Sequence, residues 1–227
     1  MSKGLFITGT GTDIGKTYVT GLILKKLRGS GRNAAYFKAA MSGNERDLSG
    51  SLIPGDAVHV KTVSGIDQPL SEMCPYVYRT AVSPHLASKI EGGPVDMKTV
   101  MECYSKVCNK YDLVTVEGSG GIICPIRFDN EKLFLEDIIR QLDLPCLIIA
   151  DAGLGTINNV VLTCKYMQSH GLKVKGIIFN NFSEGDIMHE DNKRMCEYLT
   201  NLQVIACVPK NSSCIDIDPD FLASLYE

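Results

Sequence analysis

Gly9-Thr10-Gly11-Thr12-Asp13-Ile14-Gly15-Lys16-Thr17 follows directly on the apolar run Leu5-Phe6-Ile7. The pattern reads as a strand, a glycine-rich turn and the first turn of a helix, which is the layout of a phosphate-binding P-loop. Backbone N–H groups of such a turn point inward at anionic oxygens, and the helix N-terminus adds its partial positive charge. Lys16 then reaches the β- and γ-phosphates, and the Thr17 hydroxyl is placed to ligate Mg²⁺. Five residues separate Gly9 from Gly15, one more than the regular spacing, and Thr10 stands where that spacing wants glycine. The competing reading is a glycine-rich turn followed by a surface lysine. The strand before the turn and the amphipathic helix after it oppose that reading.

Further apolar runs alternate with helical patterns along the chain. They cover 4–8, 34–37, 113–117, 145–151, 174–180 and 204–209, and most are near-continuous, as expected of parallel strands covered on both faces. Between them, Val19, Leu22, Ile23 and Leu27 form one stripe. Met97, Val100, Met101, Tyr104 and Cys108 form a second, and Ile157, Val160, Val161, Cys164 and Met167 a third. Steps of three and four residues assign each stripe to a helix face packed on a sheet. The expectation is an α/β fold: one domain over 1–227, a doubly wound and mainly parallel sheet with helices on both faces. Ligands in such sheets lie at the C-terminal ends of the strands. The stretches 41–55, 64–83 and 118–133 are less regular, yet none is long or biased enough for a disordered linker.

The 227 residues are 44% hydrophobic and 22% charged, an ordinary globular composition. A net charge of −3 gives no support to nucleic-acid binding. No apolar run approaches the roughly 20 residues that span a bilayer. Met1-Ser2-Lys3-Gly4 runs straight into a strand, so no signal peptide is expected. Nine cysteines without a CxxC pair read as reduced, mostly buried thiols of a cytoplasmic protein. His59, His85, His170 and His189 show no metal-ligand spacing.

Chemistry-bearing residues follow the apolar runs. Lys38 ends the second run beside the P-loop, where a second cation stabilises charge on a transferring phosphoryl group; a solvated strand-end lysine is the alternative. Ser42, on the same loop, is a candidate donor to phosphate or substrate. Glu117 ends the third run, where an NTPase places its Mg²⁺-directed carboxylate, and the glycines that follow let backbone approach a ligand. Asp56, after Pro54-Gly55, is the candidate for one further metal carboxylate, or else a first-turn helix acid. Small residues at Gly153-Leu154-Gly155-Thr156 open a helix and make either a second anion site or an ordinary αβ turn. Asn180 offers a donor and an acceptor, suited to a nucleobase edge or to capping a turn.

In this order the pieces resemble dethiobiotin synthetase, the ATP-dependent carboligase family of biotin synthesis. The likeness covers nearly the whole chain: the long P-loop 9–17, Lys38 with Ser42-Gly43, Gly55-Asp56-Ala57, Ser83-Pro84-His85, Val116-Glu117-Gly118-Ser119-Gly120-Gly121, 153–158 and Asn180. The resemblance implies that one amine of 7,8-diaminononanoate takes up CO₂ as a carbamate, whose oxygen attacks the γ-phosphate of ATP. The second amine then closes the ring and releases phosphate. It implies Thr12, Lys16 and Lys38 as catalytic residues and Thr17, Asp56 and Glu117 as Mg²⁺ ligands. ATP would lie on Gly11, Thr12, Asp13, Ile14, Gly15, Lys16, Thr17 and Tyr18, with Asn180 reading adenine and Pro209 beside it. Thr12, Lys38, Ser42, Ser83 and Gly118 would meet the diamine. Its distal carboxylate would sit on Gly153, Leu154, Gly155 and Asn158 of the second subunit of a homodimer. Asp13 stands where the family usually has glutamate.

The nearest rival is a regulatory ATPase of the ParA/MinD type. Such proteins carry a signature lysine five residues before the P-loop lysine, and here that position is Gly11. The acidic end, 216–227, offers neither a membrane helix nor a basic patch. An amidotransferase with an added glutaminase domain does not fit the length, and a non-catalytic nucleotide-binding module leaves two lysines and a carboxylate at one phosphate unexplained.

Overall fold

Glycine 9 and the five strands beside it in space decide where the site lies. The computed structural model describes residues 2–227. Along the chain run β1 (Lys3–Gly9), α1 (Lys16–Gly29), β2 (Ala34–Phe37), β3 (Ala40–Met41), α2 (Gly55–Ser64), α3 (Leu70–Met73), β4 (Tyr76–Val77), α4 (Pro84–Glu91) and α5 (Met97–Cys108). There follow β5 (Leu113–Glu117), β6 (Pro125–Phe128), β7 (Lys132–Phe134), α6 (Leu135–Gln141), β8 (Cys146–Asp151), α7 (Thr156–Ser169), β9 (Val174–Asn180), α8 (Ile187–Thr200), β10 (Val204–Val208) and α9 (Pro219–Ser224).

Six strands form one parallel sheet in the order β10-β9-β8-β1-β5-β2. The chain fills β2 and β5 on one side of β1, then β8 to β10 on the other. The switch point therefore falls at β1, and the crevice lies at its C-terminal end. The predicted runs coincide with these six strands. Each is apolar on both faces because both faces are covered: α1, α2 and α9 bury one, while α5, α6, α7 and α8 bury the other.

Two details differ from the sequence expectation. On α5, Val100 and Val107 are the buried residues, Cys103 and Tyr104 pack beside them, and Met101 is 36% exposed. Met101 lies at the margin of the face that a 3.6-residue period turns inward. The irregular stretches also hold small pairings: β3 with β4 in parallel, and the antiparallel hairpin of β6 with β7. Runs of two to four residues are too short to show a period.

The edge strand β2 is finished by a side chain. Tyr36 N–H donates to Gln68 Oε1 at 2.8 Å, and Gln68 Nε2 donates back to the Tyr36 carbonyl at 2.9 Å. Gln68 is fully buried, so one carboxamide supplies both bonds that a neighbouring strand would make. Immediately after, Lys38 N–H donates to the Met73 carbonyl and leaves the sheet.

Candidate active site

Parallel register brings the strand-end residues level. Ile7 pairs with Glu117 across β1 and β5, and Phe37 pairs with Val116 across β2 and β5. Lys38 therefore comes out next to Glu117, just below the turn that follows Gly9. The turn itself ends at Gly15, which caps α1 with φ 89°, in the left-handed region, and without a side-chain cap. Glycine is required there twice over: the angle strains other residues, and a Cβ would stand 2.1 Å from Asn180 Nδ2. That amide donates to the Ile14 carbonyl at 3.0 Å and props the turn from the end of β9. Its Oδ1 is buried without a partner.

Four charged groups converge here. Lys16 is buried and curls back so that Nζ donates to the Gly11 carbonyl at 2.6 Å. Lys38 Nζ lies 2.7 Å from Glu117 Oε1 and 2.6 Å from Asp56 Oδ2. Thr17 Oγ1 donates to the same Glu117 Oε1 at 2.8 Å. Tyr36, at full burial, donates its hydroxyl to Glu117 Oε2 at 3.2 Å. Asp56 owes its place to Asn44, a buried side chain whose Oδ1 accepts the Gly55 N–H at 2.9 Å and so anchors the start of α2.

Burial depresses the Lys16 ammonium below the ordinary lysine range, and Lys38 close by adds to the effect, against the pull of Glu117. Burial acts on Lys38 too, but the Glu117 and Asp56 carboxylates outweigh it and hold Lys38 firmly charged. The Tyr36 phenol is pushed well above its usual range by burial and by Glu117, so it stays a donor.

Two cavities adjoin at the P-loop. One, of about 510 Å³, is lined by Thr12, Asp13, Gly15, Lys16, Thr17, Tyr18, Lys38, Asp56, His59, Glu117 and Gly120. The other, of about 680 Å³, is lined by Ser42, Val82, Ser83, Ser119, Ile123 and Cys124 among others, and shares Thr12, Asp13 and Gly120 with the first. In it, Ser42 Oγ donates to the Val82 carbonyl at 2.5 Å, and Ser83 Oγ lies 3.0 Å from His85 Nδ1.

The donors suit a hard divalent cation. Among the described residues no group of three or more His, Cys, Asp and Glu converges. Two carboxylates and a hydroxyl do converge, however, and Mg²⁺ takes few protein oxygens and keeps several waters. Thr17, Asp56 and Glu117 fit that demand.

Other predicted residues lie elsewhere. Gly118 lines neither cavity; it is buried against Phe6 and Leu135, and the lining passes to Ser119 and Gly120. Gly153, Leu154, Gly155 and Asn158 also line neither cavity of their own chain, and Leu154 is 93% exposed. Pro209 is exposed after β10, and the loop beyond it is held to α1 by the Tyr18 hydroxyl donating to the Ser212 carbonyl. Sequence reasoning gave no role to His59 or Tyr36. His59 stands one helical turn after Asp56, and Tyr36 shares the pleat face of Lys38, so position relative to those two was the available signal. Sequence alone marks Cys124 only as a small hydrophobe. Its thiol is pushed up to about 11 by burial, against the pull of Lys16, and lines the second cavity in an unreactive form.

Such a sheet, with a phosphate cradle at its switch point, defines a P-loop nucleotide-binding protein. Solved structures share this fold. The MinC:MinD cell division complex of Aquifex aeolicus superposes with a TM-score of 0.56 at 13% identity, covering 92% of this chain and 82% of that one. A ParA family ATPase from Chlorobium tepidum does so with 0.56 at 12% identity, covering 92% and 84%. A family model described as an AAA domain matches residues 3–217. ATP-dependent dethiobiotin synthetase BioD of Brachyspira hyodysenteriae is 50% identical over 228 residues, covering all of both chains. The protein of the same name from Clostridium novyi is 53% identical over 216 residues, 92% of this chain and 88% of that one. The chain belongs to the ATP-dependent dethiobiotin synthetases, ligases that form carbon–nitrogen bonds, and not to the ParA/MinD regulators that share its fold.

Proposed function

We propose that the two adjoining cavities join 7,8-diaminononanoate and CO₂ into the cyclic urea of dethiobiotin as ATP is cleaved to ADP and phosphate. The observation that carries this reading is the shared wall: Thr12, Asp13 and Gly120 line both the phosphate cavity and the larger one beside it. A diamine in the larger cavity then presents its amines to the γ-phosphate across that wall. One amine takes up CO₂ as a carbamate, a carbamate oxygen attacks the γ-phosphorus, and ADP leaves. The second amine attacks the carbonyl carbon of the carbamic-phosphoric anhydride, and phosphate departs.

Carbamate and triphosphate are both anions, so their approach needs fixed cations. Lys16 and Lys38 are the catalytic pair that supplies them, with Thr12 at the wall. Lys38 is already held at the site by Asp56 and Glu117, a fixed cation beside the place where charge develops on the phosphoryl group. Thr17, Asp56 and Glu117 would hold Mg²⁺. When bound, the ion would offset negative charge on the triphosphate. Gly11, Ile14, Gly15 and Tyr18 take the phosphates and ribose side. Asn180, at the end of β9 against the Ile14 carbonyl, would read adenine through its carboxamide. Ser42 and Ser83 meet the diamine.

The distal carboxylate would be held by Gly153, Leu154, Gly155 and Asn158 of a second copy of the chain. Leu154 at that turn is 93% exposed and Leu162, farther along α7, is 61% exposed, so apolar side chains are open to a second copy. The reading makes 1–227 one carboligase domain. It places the protein in the cytoplasm, in keeping with nine free cysteines, five of them buried, and needs neither membrane nor nucleic acid. No helix among the described residues is long and apolar enough to cross a membrane. Phosphate release measured with a panel of nucleotides, with and without diamine and bicarbonate, tests the function. Release that does not depend on the diamine sinks it.

A further inference from the structure

We propose that Tyr36 is a positioning residue for the Glu117 carboxylate: its hydroxyl holds Oε2, so that Oε1 stays aimed at Thr17 and Lys38. This rests on the reading that Glu117 holds Mg²⁺ with the nucleotide. The two oxygens of Glu117 have separate partners. Oε1 accepts from Thr17 and Lys38, both on the cavity side, and Oε2 accepts from Tyr36 alone. The last torsion of a glutamate is broad and nearly two-fold, so a carboxylate held at one oxygen only is free to turn. The Tyr36 hydroxyl removes that freedom.

Tyr36 is itself fixed from three sides. Its ring is fully buried in the core under α1 and α2. Its backbone is bonded in both directions by Gln68, and its strand is paired in register with β5, Tyr36 opposite Thr115. Thr115 and Glu117 lie on the same pleat face, so the phenol leans along the strand toward the carboxylate. The neighbouring aromatic shows what the hydroxyl adds. Phe37 points into the opposite core and packs edge-on against Tyr104 with ring centroids 5.6 Å apart, with no polar role. Apolar packing alone would be served by phenylalanine at both positions.

The test is Tyr36→Phe, which keeps the ring and deletes one hydroxyl. Removing a group that orients a metal ligand commonly weakens the metal by ten- to a hundredfold, and the lower end, about tenfold, is expected for this single 3.2 Å bond. Mn²⁺ binding to the ADP complex, followed by electron paramagnetic resonance, should weaken by that factor. ADP binding without metal should stay near that of the parent, while the melting temperature falls by a few degrees because Oε2 is left without a donor. In a Glu117→Gln background the Tyr36→Phe effect should vanish, because the two groups act as one. An unchanged Mn²⁺ midpoint in Tyr36→Phe, or an equal loss in both backgrounds, overturns the proposal. If Glu117→Gln itself leaves the midpoint unmoved, the metal role of Glu117 falls and this inference with it. Should the phenylalanine variant not fold, Tyr36→Met takes its place. Failure of both variants to fold would assign the hydroxyl to the fold and overturn the positioning role.

Discussion

Two neighbouring turns of this molecule are built alike and surrounded differently. The turn from β1 to α1 and the turn from β8 to α7 lie on paired strands. Each leads into a 14-residue helix capped by a glycine at φ 89°, with no side-chain cap and no acid in the first turn. Both therefore share a glycine cap and the same helix dipole. The first is enclosed by Lys16, Lys38, Asp56 and Glu117. The second has Leu154 in solvent, and Asp151 takes the Gly153 N–H at 2.9 Å and the Asn181 amide at 2.6 Å. Backbone geometry makes a helix start receptive to an anion. The side chains at neighbouring strand ends decide whether it can also do chemistry.

The comparison is most exposed at Lys38, whose cation has no counterpart at the second turn. Lys38→Ala should lower kcat by about 10²–10³, the usual loss for one fixed transition-state contact. The KM for ATP should move far less; steady-state kinetics that show only an ATP effect would remove the catalytic role.

The matched glycines give a direct contrast. Gly15→Ala carries the left-handed penalty of roughly 1–2 kcal/mol and an overlap with Asn180 Nδ2 at 2.1 Å. ATP affinity, by calorimetry, should fall at least tenfold, taking 1.4 kcal/mol per decade. Gly155→Ala meets nothing within 4 Å. It should lower thermal stability by about the left-handed penalty alone and leave ATP affinity intact.

Asn158→Ala should raise the KM for the diamine about tenfold, as for loss of one bond to a charged group, with the ATP constant unchanged. Mixing this variant with Lys38→Ala should restore activity at low diamine, because one site of the mixed dimer is whole. No recovery on mixing would return the second turn to its own chain.

The smallest effect is on pH. Burial lowers the proton affinity of Lys16, and bound phosphates favour its charged form. ATP binding then takes up a proton once the pH has risen past the depressed Lys16 value. The KM for ATP should climb in that alkaline range, below the ordinary lysine value of 10.5. A flat profile there would mean that Lys16 is charged in both states.

Much of this was legible because strand ends carry the chemistry. The runs 34–37, 113–117 and 174–180 match β2, β5 and β9 to the residue. The next residue after β2 and the last of β5 and β9 are Lys38, Glu117 and Asn180, so the strand ends also mark the candidate site. Asp56 was legible through Pro54-Gly55 at the start of α2. What escaped depends on contacts that no periodicity encodes. His59 reaches the cavity only because α2 is docked by Asn44. Tyr36 looked like core, and is core but for one oxygen. Gly118 sits among conspicuous glycines, and its burial under Phe6 and Leu135 shows only in three dimensions.

The Gln68 carboxamide that finishes β2 has a consequence for chain length. Lys38 follows two residues after the bonded Tyr36, so the turn from Gly65 to Pro69 sets the height of a lysine thirty residues earlier in the chain. Insertions are tolerated in most surface loops. In this one, a single added residue that lifts the carboxamide off Tyr36 frees the strand that carries Lys38. Its length is therefore tied to the position of Lys38, although it lines neither cavity.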